Sequence, residues 1–256
     1  MDLIVTDDYA SLSQAAAEMV AEVIAGNPSA AILAATGSTP MGLYQELSAR
    51  HQRGAFDALQ LRVVQLDEYL GIGANDHRSL YGWMLRAFVD PLGIPHGNVI
   101  RLPGDAPDPA AACRAYDEDV RQIGGIDLAI LGLGPNGHLG FNEPPSAPDA
   151  PTRVVDLTEE SIESNGRYWG GRDHVPRQAM TAGMATVLGA RRVLLVVSGC
   201  HKRGILHRTL NEPVTPDVPA SFLLTMPDVT VIADRDAWDE MTGKAKCVDG
   251  ALRPRS

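Results

Sequence analysis

Residues 126–144 read IDLAILGLGPNGHLGFNEP, a nearly unbroken apolar run that ends in a loop of glycines, a histidine and a glutamate. The first eight residues, 126–133, have the length and aliphatic content of a strand buried on both faces. Such a strand needs a sheet covered on both sides. Working outward, similar runs occupy 3–6, 30–35, 62–66, 98–102, 192–198 and 229–233. Helical spacing fills the intervals. Ser11-x-x-Gln14 offers a capping box before Ala15, Ala16, Met19, Val20, Val23 and Ile24, and Gly26-Asn27-Pro28 stops that helix. Leu43 and Leu47 mark a second helix, and Leu80, Trp83, Met84 and Phe88 lie on one side of a third. Further helices are expected over 109–123, 158–168, 200–210 and 235–243. Apolar strands alternating with helices predict an α/β protein with a mainly parallel central sheet, in a single domain over 1–256. The proline-rich stretch 144–152 reads as a surface loop rather than an interdomain hinge.

Composition narrows the function. Of 256 residues, 45% are hydrophobic, which excludes a disordered chain. Lys plus Arg number 22 against 32 Asp plus Glu, a net charge of −10, so neither nucleic acid nor an anionic membrane is an expected partner. An anionic substrate would need locally gathered cations. Three cysteines, Cys113, Cys200 and Cys247, without CxxC spacing argue against a disulfide framework or a structural zinc. The start MDLIVTDDY is no signal peptide, and no run approaches the ~20 apolar residues of a membrane span, so a cytoplasmic protein is expected.

In doubly wound sheets, ligands sit beyond the carboxyl ends of the strands. Four such ends carry chemistry. Thr36-Gly37-Ser38-Thr39-Pro40 follows a strand and opens a helix, offering backbone N–H groups and hydroxyls to an anion. It is no Walker loop, since Leu43 stands where lysine is required. Asp67 and Glu68 end the next strand, where a carboxylate can act as a general base or merely cap a helix. Gly132, Gly134 and Gly137 form a literal GxGxxG with Asp156 about 20 residues on, but Pro135 lies inside it and no helix can open there. The loop instead holds polar groups close to a ligand, with His138 and Glu143 as an imidazole–carboxylate pair. No GxSxG elbow exists, and no second His or Cys stands at metal-ligand spacing. Lys202, near the start of a helix, faces an unfavourable dipole unless an anion joins it.

Taken together, TGSTP (36–40), LDEY (66–69), GLGPNGHLGFNEP (132–144) and GCHK (199–202) resemble the glucosamine-6-phosphate deaminase family, isomerising deaminases related to 6-phosphogluconolactonase, over almost the whole chain. The resemblance implies a Rossmann-like three-layer α/β/α sandwich and conversion of glucosamine-6-phosphate to fructose-6-phosphate and ammonia, within amino-sugar metabolism. It implies Asp67 as the base moving a proton between C2 and C1. His138 would open the sugar ring, oriented by Glu143. Asn136 fills a position where relatives carry Asp or Asn, and orients by hydrogen bonds without titrating. Thr36, Gly37, Ser38 and Thr39 would hold the phosphate with Arg167 and Lys202. Neither cofactor nor metal is implied, and assembly into a homo-oligomer is left open.

The ending FNEP points to the deaminases rather than the lactonases. Asp76-His77-Arg78-Ser79 departs from the His-Pro of many glucosamine-type relatives, and Pro219-Ala220-Ser221-Phe222-Leu223 looks more like galactosamine-6-phosphate relatives, which would yield tagatose-6-phosphate. A sugar lactonase of the 6-phosphogluconolactonase kind and a non-catalytic sugar-phosphate sensor compete with the deaminase reading. Arg153 matches an effector-binding arginine of allosteric members, while Val155 stands where they carry lysine, so no activation by an N-acetyl amino-sugar phosphate is expected. Residues 158–178, with Arg167 and several glycines, are expected to form a lid.

Overall fold

The computed structural model describes residues 1–239. In chain order its strands are β1 (Asp2–Thr6), β2 (Ala31–Ala34), β3 (Arg62–Gln65), β4 (Asp67–Tyr69), β5 (Val99–Ile100), β6 (Leu128–Gly132), β7 (Arg153–Asp156), β8 (Gln178–Thr181), β9 (Arg192–Val197) and β10 (Val229–Asp234). The helices are α1 (Tyr9–Gly26), α2 (Met41–Gln52), α3 (Leu80–Met84), α4 (Pro109–Gln122), α5 (Glu159–Trp169), α6 (Met184–Leu188), α7 (Arg203–Asn211) and α8 (Arg235–Trp238).

Seven strands form one parallel sheet in the order β1-β10-β9-β6-β2-β3-β5. These are the seven runs expected from sequence. Period-two alternation sends their side chains into two separate cores. Ile32, Val63, Ile130, Val196 and Ile232 pack with Leu12, Val20 and Ile24 of α1 and Leu43 and Leu47 of α2. Their neighbours Leu33, Val64, Leu131, Leu195 and Val231 pack with Tyr116 of α4 and Leu206 of α7. The result is a Rossmann-like three-layer α/β/α sandwich with a mainly parallel sheet. From β2 the chain runs outward to β5, then returns to β6 and builds the other half, so the order switches between β2 and β6. A crevice at a switch point is the usual ligand position in such sheets.

A second, antiparallel sheet of β4, β8 and β7 was not expected. Its strands are three or four residues long, too short for an alternation signal. Other expectations shift locally. The α1 cap is Asp8, whose carboxylate accepts from the Ser11 N–H at 2.8 Å, so Ser11-x-x-Gln14 lies within the helix and is not its capping box. The third helix is α3 followed by a π-turn over Leu85–Val89, and its apolar residues divide. Met84 and Phe88 enter the main core, while Leu80 and Trp83 join a third cluster built around Tyr69, Phe141 and Trp169. Residues 200–202 form a 3-10 turn ahead of α7. The expected helix 235–243 begins as α8, and its part from residue 240 lies outside the described residues. Cys113 is a buried free thiol; Cys247 lies outside the described residues. No helix among the described residues is long and apolar enough to cross a membrane.

Buried polar side chains pin the strand ends that form the site. Tyr44 of α2 donates its hydroxyl to the Ala35 carbonyl at 2.7 Å, and Tyr116 of α4 donates to the Gln65 carbonyl at 2.7 Å. Gln65 gives its amide to the Asp67 carbonyl at 2.8 Å and accepts the Leu102 N–H at 3.0 Å. Glu68 is the most heavily committed. It accepts from the Ser79 hydroxyl at 2.7 Å and from the N–H groups of Tyr69, Leu80 and Tyr81 at 2.9–3.0 Å. One buried carboxylate thus satisfies the start of α3 and locks β4 to it. Replacing Glu68 with Ala strands these donors. Because truncating one partner of such a buried network is severe, Glu68→Ala is expected to cost about 3 kcal/mol or more, read as a lower urea midpoint at unchanged slope.

Candidate active site

Four loops meet at the carboxyl ends of β2, β3, β6 and β9. Asp67 begins β4, opposite Thr181 of β8. Its carboxyl is buried, 8% of the residue being exposed, and accepts no hydrogen bond among the described residues. Burial, reinforced by the adjacent Glu68 charge, pushes its pKa up to about 7. The two acids of LDEY therefore divide the readings that sequence left open: Glu68 is the helix clamp, and Asp67 is the uncommitted acid.

Thr181 links Asp67 to the glycine loop, since its hydroxyl accepts the Phe141 N–H at 3.1 Å. The loop after β6 opens no helix, consistent with rejecting a dinucleotide motif. Gly134 is needed for contact rather than flexibility: a Cβ there would sit 2.1 Å from the His138 ring. Gly137 takes φ +86°, in the left-handed region that favours glycine, and its carbonyl accepts the Ala220 N–H at 2.8 Å. His138 Nδ1 lies 3.1 Å from Glu143 Oε2. Asn136 donates to that same oxygen at 2.8 Å, and its own Oδ1 accepts the His138 N–H at 3.2 Å. Burial alone would raise the Glu143 carboxyl, but the hydrogen bond and charge of His138, with Ser161 and Asn136, outweigh it and hold the pKa at about 2. Glu143 is therefore ionised, and its carboxylate orients the imidazole with Nδ1 as donor.

The other end of the site is cationic. Arg167, in the last turn of α5, donates to the Ser38 hydroxyl at 3.3 Å and lies over the Tyr168 ring at 4.7 Å. The Tyr168 hydroxyl accepts the Ser38 N–H at 3.2 Å. Lys202, the only lysine among the described residues, has no carboxylate partner there. Burial and the nearby Arg167 charge lower its pKa to about 8. Two cations held near each other, each without an acid among the described residues, mark a place for an anion. The turn preceding Lys202 is fixed by Asp234, which accepts the Gly199 N–H at 3.0 Å and the Ser198 hydroxyl.

The sequence-derived set does not converge equally. Asn136, His138 and Glu143 form one hydrogen-bonded group, with Asp67 connected to their loop through Thr181, while Ser38, Arg167 and Lys202 form a second group. Gly37, at φ +106°, shapes the turn. The Thr36 and Thr39 hydroxyls make no hydrogen bond among the described residues. Thr158 and Ser161 were missed. Thr158 donates to Glu143 Oε2 at 3.2 Å, and Ser161 Oγ lies 3.3 Å from His138 Nδ1. The T-x-x-S spacing at the start of a predicted helix was the available signal. Tyr9 was missed too; its hydroxyl contacts the Ser38 and Thr39 carbonyls at 3.0 Å and accepts the Gly42 N–H at 2.8 Å. Arg153 donates to Asn142 at 2.8 Å and Ser146 at 3.0 Å, holding the end of the glycine loop. The glycines of 158–178 have local duties, with Gly170, at φ +72°, terminating α5. No cluster of three His, Cys, Asp or Glu side chains among the described residues is arranged for a metal.

The family model described as glucosamine-6-phosphate isomerases/6-phosphogluconolactonase matches residues 7–232. A glucosamine-6-phosphate deaminase of Halothermothrix orenii is 40% identical over 237 residues, 93% of this chain and 98% of the relative. One from Geobacillus sp. (strain WCH70) is also 40% identical, over 93% of this chain and 94% of the relative. A solved monomeric glucosamine-6-phosphate deaminase aligns with a TM-score of 0.91 at 37% identity, covering 93% of this chain and 98% of that one. The 6-phosphogluconolactonase of Trypanosoma brucei shares the fold, with a TM-score of 0.75 at 21% identity over 92% and 97% of the two chains. With its glycine loop, its buried acid and its cation pair on this sheet, the chain belongs to the glucosamine-6-phosphate isomerase/6-phosphogluconolactonase family.

Proposed function

We propose that the protein is an amino-sugar-6-phosphate deaminase that converts glucosamine-6-phosphate and water to fructose-6-phosphate and ammonia. The observation carrying this reading is Asp67, a buried carboxyl without a hydrogen-bond partner among the described residues, held near neutrality at about 7 and joined through Thr181 to the loop of an imidazole–carboxylate pair. A group that must take a proton and return it at neutral pH needs such a pKa.

The proposed sequence begins at the ring. His138 takes the proton of the anomeric hydroxyl and supplies one to the ring oxygen, opening the pyranose to its aldehyde. Glu143 and Asn136 hold the imidazole for this exchange. Asp67 then removes the C2 proton, acidified by the neighbouring carbonyl, to give an enol-amine. Returning that proton to C1 leaves an imine at C2. Water adds to the imine carbon, the C–N bond breaks, and ammonia departs with a ketose phosphate remaining. Ser38, Arg167 and Lys202 hold the phosphate, so binding energy far from the reacting carbons is used to orient them. Ser161 and Arg167 lie six positions apart on α5, about 9 Å at ~1.5 Å per residue, a span suited to a six-carbon chain with a terminal phosphate. A homo-oligomer is not required, because these groups come from one chain.

Ammonia release from glucosamine-6-phosphate, with galactosamine-6-phosphate and 6-phosphogluconolactone as parallel substrates, tests the reaction against its epimeric and hydrolytic competitors. Release from glucosamine-6-phosphate is expected, and lactone hydrolysis alone would overturn the proposal. Asp67→Asn is expected to lower kcat by about 1,000-fold while inorganic phosphate still binds, checked by steady-state kinetics and calorimetry.

The same substitution has a stability signature. The folded-state pKa of Asp67 lies above its ordinary value of 3.8, so its ionisation opposes folding, and wild-type stability falls as pH rises from about 4 through about 7. Three pKa units correspond to about 4 kcal/mol. Urea unfolding at pH 8 is expected to find Asp67→Asn more stable than wild type by up to about that amount, with the gap closing near pH 4.

For activity, Asp67 must be ionised and Lys202 protonated. Wild-type kcat/KM should therefore rise through about pH 7 and fall above about pH 8. Lys202→Ala should raise KM and remove the alkaline fall, as a pH profile of both proteins would reveal.

A further inference from the structure

Resting on the assignment of ring opening to His138, we infer that Thr158 and Ser161 are positioning residues that hold His138 in one tautomer and tie its orientation to the seating of Arg167 at the far end of the same helix.

Proton counting carries the first half. Glu143 Oε2 is approached by Asn136 Nδ2 at 2.8 Å, His138 Nδ1 at 3.1 Å and the Thr158 hydroxyl at 3.2 Å. A carboxylate only accepts, so Nδ1 must carry a proton, which leaves the Nε2 lone pair for the ligand. Ser161 Oγ, 3.3 Å from Nδ1, then stands as a second acceptor for that proton. It also lies 3.2 Å from the Thr158 hydroxyl, which caps α5 by accepting the Ser161 N–H at 3.3 Å. The helix start and the imidazole therefore share one hydrogen-bond network.

Helix rigidity carries the second half. α5 is bounded by the Thr158 cap and by Gly170, and Ile162 and Trp169 anchor it in the cluster containing Tyr69 and Phe141. Its last turn carries Arg167 and Tyr168, both bonded to Ser38. One rigid element thus touches the imidazole pair at its first turn and the anion loop at its last. A phosphate that draws Arg167 into place moves the same body that carries Thr158 and Ser161.

The experiment uses three variants of the whole protein: Ser161→Ala, which keeps the cap; Thr158→Val, which removes the hydroxyl at equal size; and Thr158→Ser, which restores it. Nitrogen-15 NMR of His138 is recorded as inorganic phosphate is titrated in. Wild type is expected to show the Nδ1–H tautomer, with the ring signals shifting as phosphate saturates. In Ser161→Ala and Thr158→Val, both tautomers should be populated and the phosphate response lost, while phosphate affinity stays within about twofold. kcat should fall about tenfold or more with KM little changed, and Thr158→Ser should recover most of it. A wild-type His138 tautomer and phosphate response in both hydroxyl-less variants would overturn the inference. So would a loss of phosphate affinity as large as the loss of kcat. Because the NMR arm reads the imidazole directly, it tests the coupling even if no ammonia is released, the outcome that would instead sink the proposed reaction.

Discussion

Strands that pair in parallel cannot be joined by a hairpin, so each connection must cross back over a face of the sheet and every carboxyl end points the same way. That constraint decides where the chemistry of this protein collects. β2, β3, β6 and β9 end on one side, and the change of direction between β2 and β6 keeps their loops from covering one another. The helices needed for the crossovers supply Tyr44 and Tyr116, whose hydroxyls fix the strand ends from opposite faces. Asp67, His138, Ser38 and Lys202 are far apart in sequence, yet each lies just beyond the carboxyl end of a strand of the one parallel sheet.

Electrostatically the site runs against the rest of the molecule. A net charge of −10 disfavours the approach of anions, yet Arg167 and Lys202 are held near each other with no acid beside either among the described residues. At the other end the fold keeps one carboxyl, Glu143, ionised by donors gathered on its Oε2 and by the His138 charge, and another, Asp67, hard to ionise by burial without a donor among the described residues. The same chemical group is driven in opposite directions by its surroundings: burial dominates at Asp67, hydrogen bonds and the neighbouring imidazole at Glu143. Glu68 adds a third outcome, a carboxylate spent on structure.

What the sequence made legible follows from how locally each feature is encoded. The seven strands of the main sheet were readable because each is an apolar run buried on both sides. The glycine loop and the acids of LDEY were readable as dense chemistry at strand ends. The second sheet was not, because β4, β7 and β8 are too short to display a period, and β4 finds its partner β8 more than a hundred residues away. Local grammar also misled: Ser11 and Gln14 have capping-box spacing, yet Asp8 offers a carboxylate one turn earlier and takes the role. Arg167 entered only through resemblance, since nothing near it in sequence announces Ser38. Gln65, Thr158 and Ser161 are ordinary polar residues that gain meaning from what folds against them.

Tyr9 has a consequence for how the anion loop presents itself. In a peptide plane the carbonyl of one residue and the N–H of the next point in opposite directions. With the Ser38 carbonyl turned toward the phenol of the first long helix, the Thr39 amide is aimed to the other side. A residue near the start of the chain thereby fixes the orientation of this peptide plane within the loop.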